Sequence, residues 1–498
     1  MALLLVPLTG CGGPEDGGIS GDNGRSGDNG RSGDDGRSAR EPSAPAASRP
    51  PTAGTGSKDP DDVNGDGYRD LLVTVPAGPR KEAFQERRVA VVYGSAKGLD
   101  PATRTLYGLG DLGLHATWET GGGDSLDAGQ VLTADLDGDG FPDFVTSASG
   151  GPVSDRRPST SRRNPSVTWG GPHGPNAGAR TTAGAASEAT TGSAAPATEL
   201  RLPQEMAGLA LTQPVRGDFD GDGHHDLAGL AGDGDTGPVA PLVLYGPFTR
   251  AGAPARTDTG LPPTRGTLIT DAIDPTGEPR ATSLLVQGEA DGEQAPNTLY
   301  RAHEGSGLER KGETLRAGTA HTFGDFDGDG VRDLAVGDNG GRNNEPGFET
   351  EAPEVDGSLT VYPGAGGAPV RHLLPKVPKG AATDYGPGGF VAADPDGDGR
   401  DGLLVATYEG ATLIDGDRRT DVLREGPAVS EGVRTPQKWR HARPADAGDF
   451  DGDGKDELVL HWAADTLFGF YGENPTHWWI TKGTTAKDQA AFSTWRFA

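Results

Sequence analysis

Six stretches of the chain repeat one arrangement of acidic residues. They are DVNGDGYRD from Asp62, DLDGDGFPD from Asp135, DFDGDGHHD from Asp218, DFDGDGVRD from Asp325, DPDGDGRDG from Asp394 and DFDGDGKDE from Asp449. The shared pattern is Asp-x-Asp/Asn-Gly-Asp-Gly-x-x-Asp. Positions 1, 3, 5 and 9 offer hard oxygen ligands, and position 7 can add a backbone carbonyl. Glycine at position 6 permits the sharp turn that wraps such a loop around an ion. A cage of oxygens suits calcium better than zinc, which prefers nitrogen and sulfur. Acids packed this tightly repel one another unless a cation sits among them.

The elements around the loops decide what kind of site this is. EF-hands and dockerins open with the same spacing, but they place a further acid at position 12 and set the loop beside helix. Here position 12 is Val73, Thr146, Gly229, Val336, Val405 and Leu460. The residues after position 9 read LLVTV, FVTSA, LAV or LVLHW, which are apolar and partly β-branched strand sequences. Each loop therefore joins two strands. Position 2 is Val63, Leu136, Phe219, Phe326, Pro395 and Phe450, and is expected to anchor the loop on the sheet beneath it.

The chain's 498 residues exceed what one compact core usually holds, so several domains or a repeat array are expected. With 82 glycines and 33% hydrophobic residues, the composition disfavours helical bundles and suits short strands joined by glycine turns. The net charge is −28, and no run of Lys and Arg is long enough to form a basic face, which excludes a nucleic-acid partner.

Successive copies start 73, 83, 107, 69 and 55 residues apart. The longest gap contains DPTGEPRATSLLV, from Asp274 to Val286. It keeps acids at positions 1 and 5 (Asp274 and Glu278) and Gly277 at position 4, but has Pro279 at position 6 and Thr282 at position 9. It reads as a seventh copy that has lost its metal. A second landmark follows most loops: VAVVYGSAKGL, SVTWGGPHGP, LVLYGPFTRAG, SLTVYPGAGGA and, in the last unit, LFGFYGENP. A unit is thus strand, acidic loop, buried strand, then a third strand ending in aromatic-Gly. Units of about 60 residues with some four strands read as propeller blades, each burying its faces against its neighbours.

The units resemble the FG-GAP repeats of the integrin α-subunit head, which also occur in bacterial VCBS-type repeat proteins. GDSLDAGQVLTADLDGDGFPDFVTSASG matches a half-repeat with its lead-in. The resemblance covers residues 58–498. It implies an all-β fold, a seven-bladed β-propeller with calcium held between the first two strands of several blades. The ligands it implies are Asp62, Asn64, Asp66 and Asp70; Asp135, Asp137, Asp139 and Asp143; Asp218, Asp220, Asp222 and Asp226; Asp325, Asp327, Asp329 and Asp333; and Asp449, Asp451, Asp453 and Glu457. The loop with Asp394, Asp396 and Asp398 departs from the pattern, because position 9 is Gly402 and the acid, Asp401, sits one place early. That site is expected to be weaker or absent, giving five calcium ions, or six if it binds.

The chain opens MALLLVPLTGC. The apolar run Leu3 to Leu8 followed by Leu-Thr-Gly-Cys resembles the lipobox of bacterial lipoproteins, so residues 1–11 read as a signal peptide with Cys11 lipidated. Cys11 is the sole cysteine, which excludes an intramolecular disulfide. No Lys or Arg precedes the apolar run, and the true start is expected upstream. The run is too short to span a bilayer. Residues 12–57 contain a six-residue repeat, Gly21 to Ser38, and then a Pro/Ala/Ser stretch. They have little apolar surface to bury and are expected to form a disordered tether.

Three further motifs invite function. GDSL, Gly123 to Leu126, spells the signature of esterases with a nucleophilic serine, here Ser125. Its required Asp-x-x-His occurs as Asp222 to His225, inside an acidic loop. RGDF, Arg216 to Phe219, spells an integrin ligand, but Asp218 is position 1 of a loop. Trp439, Trp462, Trp478, Trp479 and Trp495 lie late in the chain, where aromatic faces either fill the spaces between blades or stack on sugars. Trp478 and Trp479 are adjacent, so a strand would point them to opposite sides. The expected function is a non-enzymatic, monomeric binding or adhesion module outside a bacterial membrane, anchored through Cys11, with a protein or glycan ligand. A lectin-like propeller is the alternative, and a propeller-scaffold hydrolase or lyase the third reading.

Overall fold

The apolar run after a loop forms a strand that, in several blades, is buried on both faces. Asp333–Gly337 and Gly402–Thr407 are buried at every position. Such strands need a neighbour on each side, and a ring of sheets supplies one. The computed structural model describes residues 48–77, 86–115, 125–147, 151–152, 164–175, 195–206, 208–232, 239–289, 293–342, 350–378, 389–430, 432–464, 466–467, 470–471 and 475–497. All of them fall in the unit Ala39–Ala498. Cys11, the apolar run before it and the Gly21 to Ser38 repeat lie outside the described residues, as do Gly123 and Asp124.

Seven antiparallel sheets follow one another in sequence and make a seven-bladed β-propeller. Blade I has three strands, Leu71–Ala77, Glu86–Val92 and Arg104–Tyr107. The other six have four, paired in sequence order. Their first and second strands are Val131–Ala134 and Asp143–Thr146 in blade II, Ala210–Gly217 and Asp226–Gly232 in blade III, and Thr267–Thr270 and Leu284–Gln287 in blade IV. They are Ala320–Gly324 and Asp333–Gly337 in blade V, Phe390–Ala393 and Gly402–Thr407 in blade VI, and Arg443–Gly448 and Glu457–Trp462 in blade VII. First strands touch between blades II and III, III and IV, V and VI, and VI and VII, which places them around the axis. Loops II, III, V, VI and VII each connect a first strand to a second, while among the described residues no strand of blade I precedes loop I. Among the described residues the helical elements are short 3-10 turns, and no helix is long and apolar enough to cross a membrane.

Seven apolar clusters fill the seven seams between blades. Seam I–II gathers Val89, Val91 and Tyr107 with Phe144, and seam II–III gathers Val145 and Val167 with Leu227 and Leu244. Position 2 of the loops sits in these seams: Val63, Leu136, Phe219, Phe326 and Phe450 are all buried there, each between its own blade and the next. Pro395 is half-buried. The anchor therefore grips the neighbouring blade as well as its own sheet.

The ring closes between blades VII and I. Val73, Val75 and Val92 pack against Phe450, Val459, Trp478, Phe492 and Phe497. Among the described residues, blades VII and I share no strand, so side-chain packing holds the closure. Two points of the structure differ from the pattern in the sequence. The third strand of blade VII is His477–Lys482, which pairs with all six residues of Glu457–Trp462. The expected LFGFY segment instead contributes Phe470–Tyr471 to a small hairpin with Thr466–Leu467. In addition, residues 49–57, assigned to the tether, run against the body. Gly54 and Thr55 donate to the carbonyls of Asn64 and Gly65, and Ser57 donates to that of Gly140.

Candidate metal loops

Each loop is folded by its own acids. In every loop the position 1 carboxylate accepts the backbone N–H groups of positions 5 and 6. Asp135 receives those of Asp139 and Gly140 at 3.0 Å each, and Asp325 receives those of Asp329 at 3.1 Å and Gly330 at 2.9 Å. The same pair of bonds recurs at Asp62, Asp218, Asp394 and Asp449. Position 5 then accepts from position 7, as Asp329 does from Val331 at 2.8 Å. Glycines at positions 4 and 6 take positive φ in all six loops, 67° and 83° at Gly221 and Gly223, a conformation that disfavours a Cβ.

Position 9 ties the loop to the third strand. Asp226 accepts the N–H of Phe219 at 2.8 Å and that of Gly246 at 2.7 Å. Asp70 does the same with Val63 and Gly94, Asp143 with Leu136 and Gly170, and Asp333 with Phe326 and Gly364. The glycine of the aromatic-Gly landmark is thus the partner of the position 9 acid, a link between two motifs that the sequence presents separately.

Position 8 joins neighbouring blades. His225 Nδ1 accepts the Asp135 N–H at 2.8 Å, Asp401 Oδ2 that of Asp325 at 2.8 Å, and Asp456 Oδ2 that of Asp394 at 2.8 Å. In each pair a blade's position 8 holds position 1 of the loop before it. Asp401 is therefore not a displaced ligand of its own loop but a clasp on loop V. Thr282 does the same job, accepting the Asp218 N–H at 2.8 Å, while Ser283 Oγ accepts from Ala302 as a position 9 acid would. This corrects the register of the degenerate copy. Gly277 still donates to the Asp274 carbonyl, as position 4 does to position 1 in loops I and III, so one extra residue lies between Gly277 and Thr282. Thr282 is position 8 and Ser283 position 9.

The donor set fits an oxygen-ligated cation. Positions 1, 3 and 9 of loops II, III and V, and positions 1, 3 and 5 of loops VI and VII, each bring carboxylate oxygens within 4.8 Å of one another. Asn64 Oδ1, Asp137 Oδ1 and Asp220 Oδ1, all at position 3, are buried without a hydrogen-bond partner. A buried oxygen facing no donor is costly, and a cation removes that cost. Burial, together with like-charged neighbours in the loop, pushes Asp143 and Asp226 up to about 8, Glu457 to about 7 and Asp62 to about 6. A bound cation would reverse those shifts.

A family model described as FG-GAP repeat matches residues 59–89 and 128–161. The chain carries FG-GAP repeats in these two stretches. The matched stretches hold FG-GAP loops I and II with the strands that follow them. Comparison with curated proteins gives no match. Among solved structures, BBS1N in complex with ARL6DN, soaked with lead, is similar at 11% identity and a TM-score of 0.37, over 85% of this chain and 95% of that one. The V. cholerae biofilm matrix protein Bap1 is similar at 12% identity and a TM-score of 0.30, over 90% of this chain and 98% of that one.

The remaining motifs belong to the propeller framework. Leu126 of GDSL is buried in seam I–II. Asp127, next in sequence, caps the 3-10 turn Ala128–Gln130 and pairs with Arg87 at 3.0 Å. His225 is held by the Asp135 amide. Arg216 of RGDF bonds Asp61 at 2.7 Å and Thr133, with Arg69 3.0 Å from the same Asp61, while Asp218 folds loop III. Trp462, Trp478 and Trp479 are buried in seams. Trp478 packs toward blade I and Trp479 toward blade VI, so the two adjacent indoles do face opposite sides of one strand.

Proposed function

We propose that the chain is a non-enzymatic binding or adhesion module. It is a monomeric, calcium-stabilised propeller held outside a bacterial cell membrane by a lipid on Cys11. The observation that carries the calcium assignment is the set of buried, partnerless position 3 oxygens, Asn64 Oδ1, Asp137 Oδ1 and Asp220 Oδ1, inside oxygen-only cages. Calcium supplies the positive charge that lets four clustered oxygens stay ionised. It would be held by positions 1, 3, 5 and 9 of loops I, II, III, V and VII. Loop VI has three acids, Asp394, Asp396 and Asp398, and no side chain at Gly402. Because position 8 of the next blade fastens position 1 of loops II, III, V and VI, a cation bound there stiffens a seam as well as a turn. His225, of the Asp-x-x-His that esterase chemistry would need, is engaged in a structural bond to the Asp135 amide, which supports a binding role.

A protein ligand is favoured over a glycan, since Trp462, Trp478 and Trp479, which would form a sugar-stacking face, are core residues. Calcium titration with a matched thermal scan tests the cement. Five bound ions are expected, and fewer than three would overturn the assignment. Fatty-acid labelling of wild type and Cys11→Ala tests the anchor, and equal labelling of both would rule out lipidation at Cys11.

A further inference from the structure

We propose that Arg250 is a built-in counter-cation of loop II, which a divalent cation must displace, and that Lys482 plays the same part in loop VII. The proposal rests on the assignment of these loops to calcium. Arg250 belongs to blade III, in the turn after its third strand Pro241–Tyr245, and reaches back across seam II–III. Its Nε lies 2.5 Å from Asp137 Oδ2 and its Nη2 2.7 Å from Asp139 Oδ2. These acids are positions 3 and 5 of loop II, two of its four ligands. The Asp137 side chain is only 10% exposed, and its Oδ1 has no partner. In blade VII, Lys482 stands opposite Glu457 in register, and its Nζ lies 3.0 Å from Asp451 and 3.1 Å from Asp453. Arg256 pairs likewise with Asp220 of loop III. Among the described residues, no basic side chain pairs with Asp327, Asp329, Asp396 or Asp398 of loops V and VI, and loop I carries the neutral Asn64 at position 3.

A guanidinium and a divalent cation cannot share two carboxylates at these distances without strong repulsion. Binding in loops II, III and VII therefore costs ion pairs that binding in loop V does not. The displaced Arg250 has somewhere to go. Its guanidinium already lies over the Trp169 ring, 5.5 Å from the centroid, at the edge of a cavity of about 300 Å³ lined by Trp169, Pro172, His173 and Pro196. Calcium should fill the uncontested loop V first and the contested loops later, and filling loop II should free Arg250.

The full chain is titrated with calcium by calorimetry as wild type, Arg250→Met and Lys482→Met. Each substitution should tighten one of the weaker sites by roughly threefold to tenfold, the scale of one or two part-exposed ion pairs, and leave the rest unchanged. In parallel, modification of Arg250 by phenylglyoxal, read by peptide mass spectrometry, should rise severalfold when calcium is added. Calcium uptake with wild-type constants in both variants, and Arg250 reactivity indifferent to calcium, would overturn the counter-cation role alone. No calcium uptake by any variant would overturn the calcium assignment and this proposal together.

Discussion

Replacing Thr282 with Val tests the clasp between blades with the smallest change in shape. Thr282 is fully buried, and its Oγ1 accepts the Asp218 N–H at 2.8 Å. The backbone bond from Thr282 N to the Asp218 carbonyl, at 2.7 Å, is untouched by the substitution. What changes is that one buried N–H faces a methyl group, at a cost of about 1–3 kcal/mol. A folded unit of roughly 450 residues unfolds with an entropy of about 0.9 kcal/mol/K, so the melting temperature should fall by only about 1–3 °C. Denaturant titration of the calcium-free protein reads the same loss as a shift in midpoint at constant slope. The more specific signal is in the metal. Asp218 is position 1 of loop III, and an amide with no acceptor will tilt it, so calcium binding at loop III weakens while the other loops keep theirs. Thr282→Ser keeps the hydroxyl and should keep loop III's affinity, even if losing the methyl costs about 1 kcal/mol. If Thr282→Val matches wild type in midpoint and in loop III affinity, or if Thr282→Ser harms the metal as much as Val does, position 8 does not clasp the preceding loop.

Chelation should lower the melting temperature by roughly 8 °C, because five ions at tenfold excess over Kd contribute about 7 kcal/mol, and calcium should restore it where equal magnesium does so poorly. Asp329→Ala should lose one ion by stoichiometry and Glu278→Ala none. Deleting residues 491–498 removes Phe492 and Phe497 from seam VII–I and should destabilise the body by several kcal/mol; an unchanged melting curve would mean that the closure does not use them. His477 is fully buried, and burial, with Arg496 nearby, holds its pKa at about 4 against 6.5 in an open chain. The unfolded chain then takes up the proton first, so stability is complete above pH 6.5 and falls as pH drops toward 4, by up to roughly 3 kcal/mol. Comparing wild type with His477→Gln at pH 7.5 and pH 5 isolates this part, and a difference that is the same at both pH values counts against it.

The loops and the number of blades were legible because a metal cage needs fixed residue types at fixed local spacing, and Asp, Asn and Gly are hard to replace there. Position 2 was legible as apolar, but not its grip on the next blade. Position 8 was illegible. Arg69, Pro142, His225, Arg332, Asp401 and Asp456 share no chemistry as a set, and the amides that His225, Asp401 and Asp456 meet lie in another repeat. Asp401 looked like a misplaced ligand because the spacing carries no information about neighbours. The insertion in the degenerate copy was hidden because Asp274, Gly277 and Glu278 still fitted the first five positions. In blade VII two aromatic segments competed for the third strand. The six-residue partner Glu457–Trp462 favoured the longer His477–Lys482, where Lys482 replaces the aromatic that marks this place in blades I to III.

The closure between blades VII and I has a consequence for how the protein comes into being. Synthesis delivers the Val73 and Val75 face of blade I early, while Phe450, Trp478, Phe492 and Phe497, which cover it, emerge only after every other blade. Until then the nascent propeller is an open arc with one sticky flank. Arrival of those aromatics converts the arc into a ring, so the last seam works as a completion signal. A chain stopped short keeps its flank bare and offers chaperones and proteases a mark of unfinished synthesis that a whole molecule lacks.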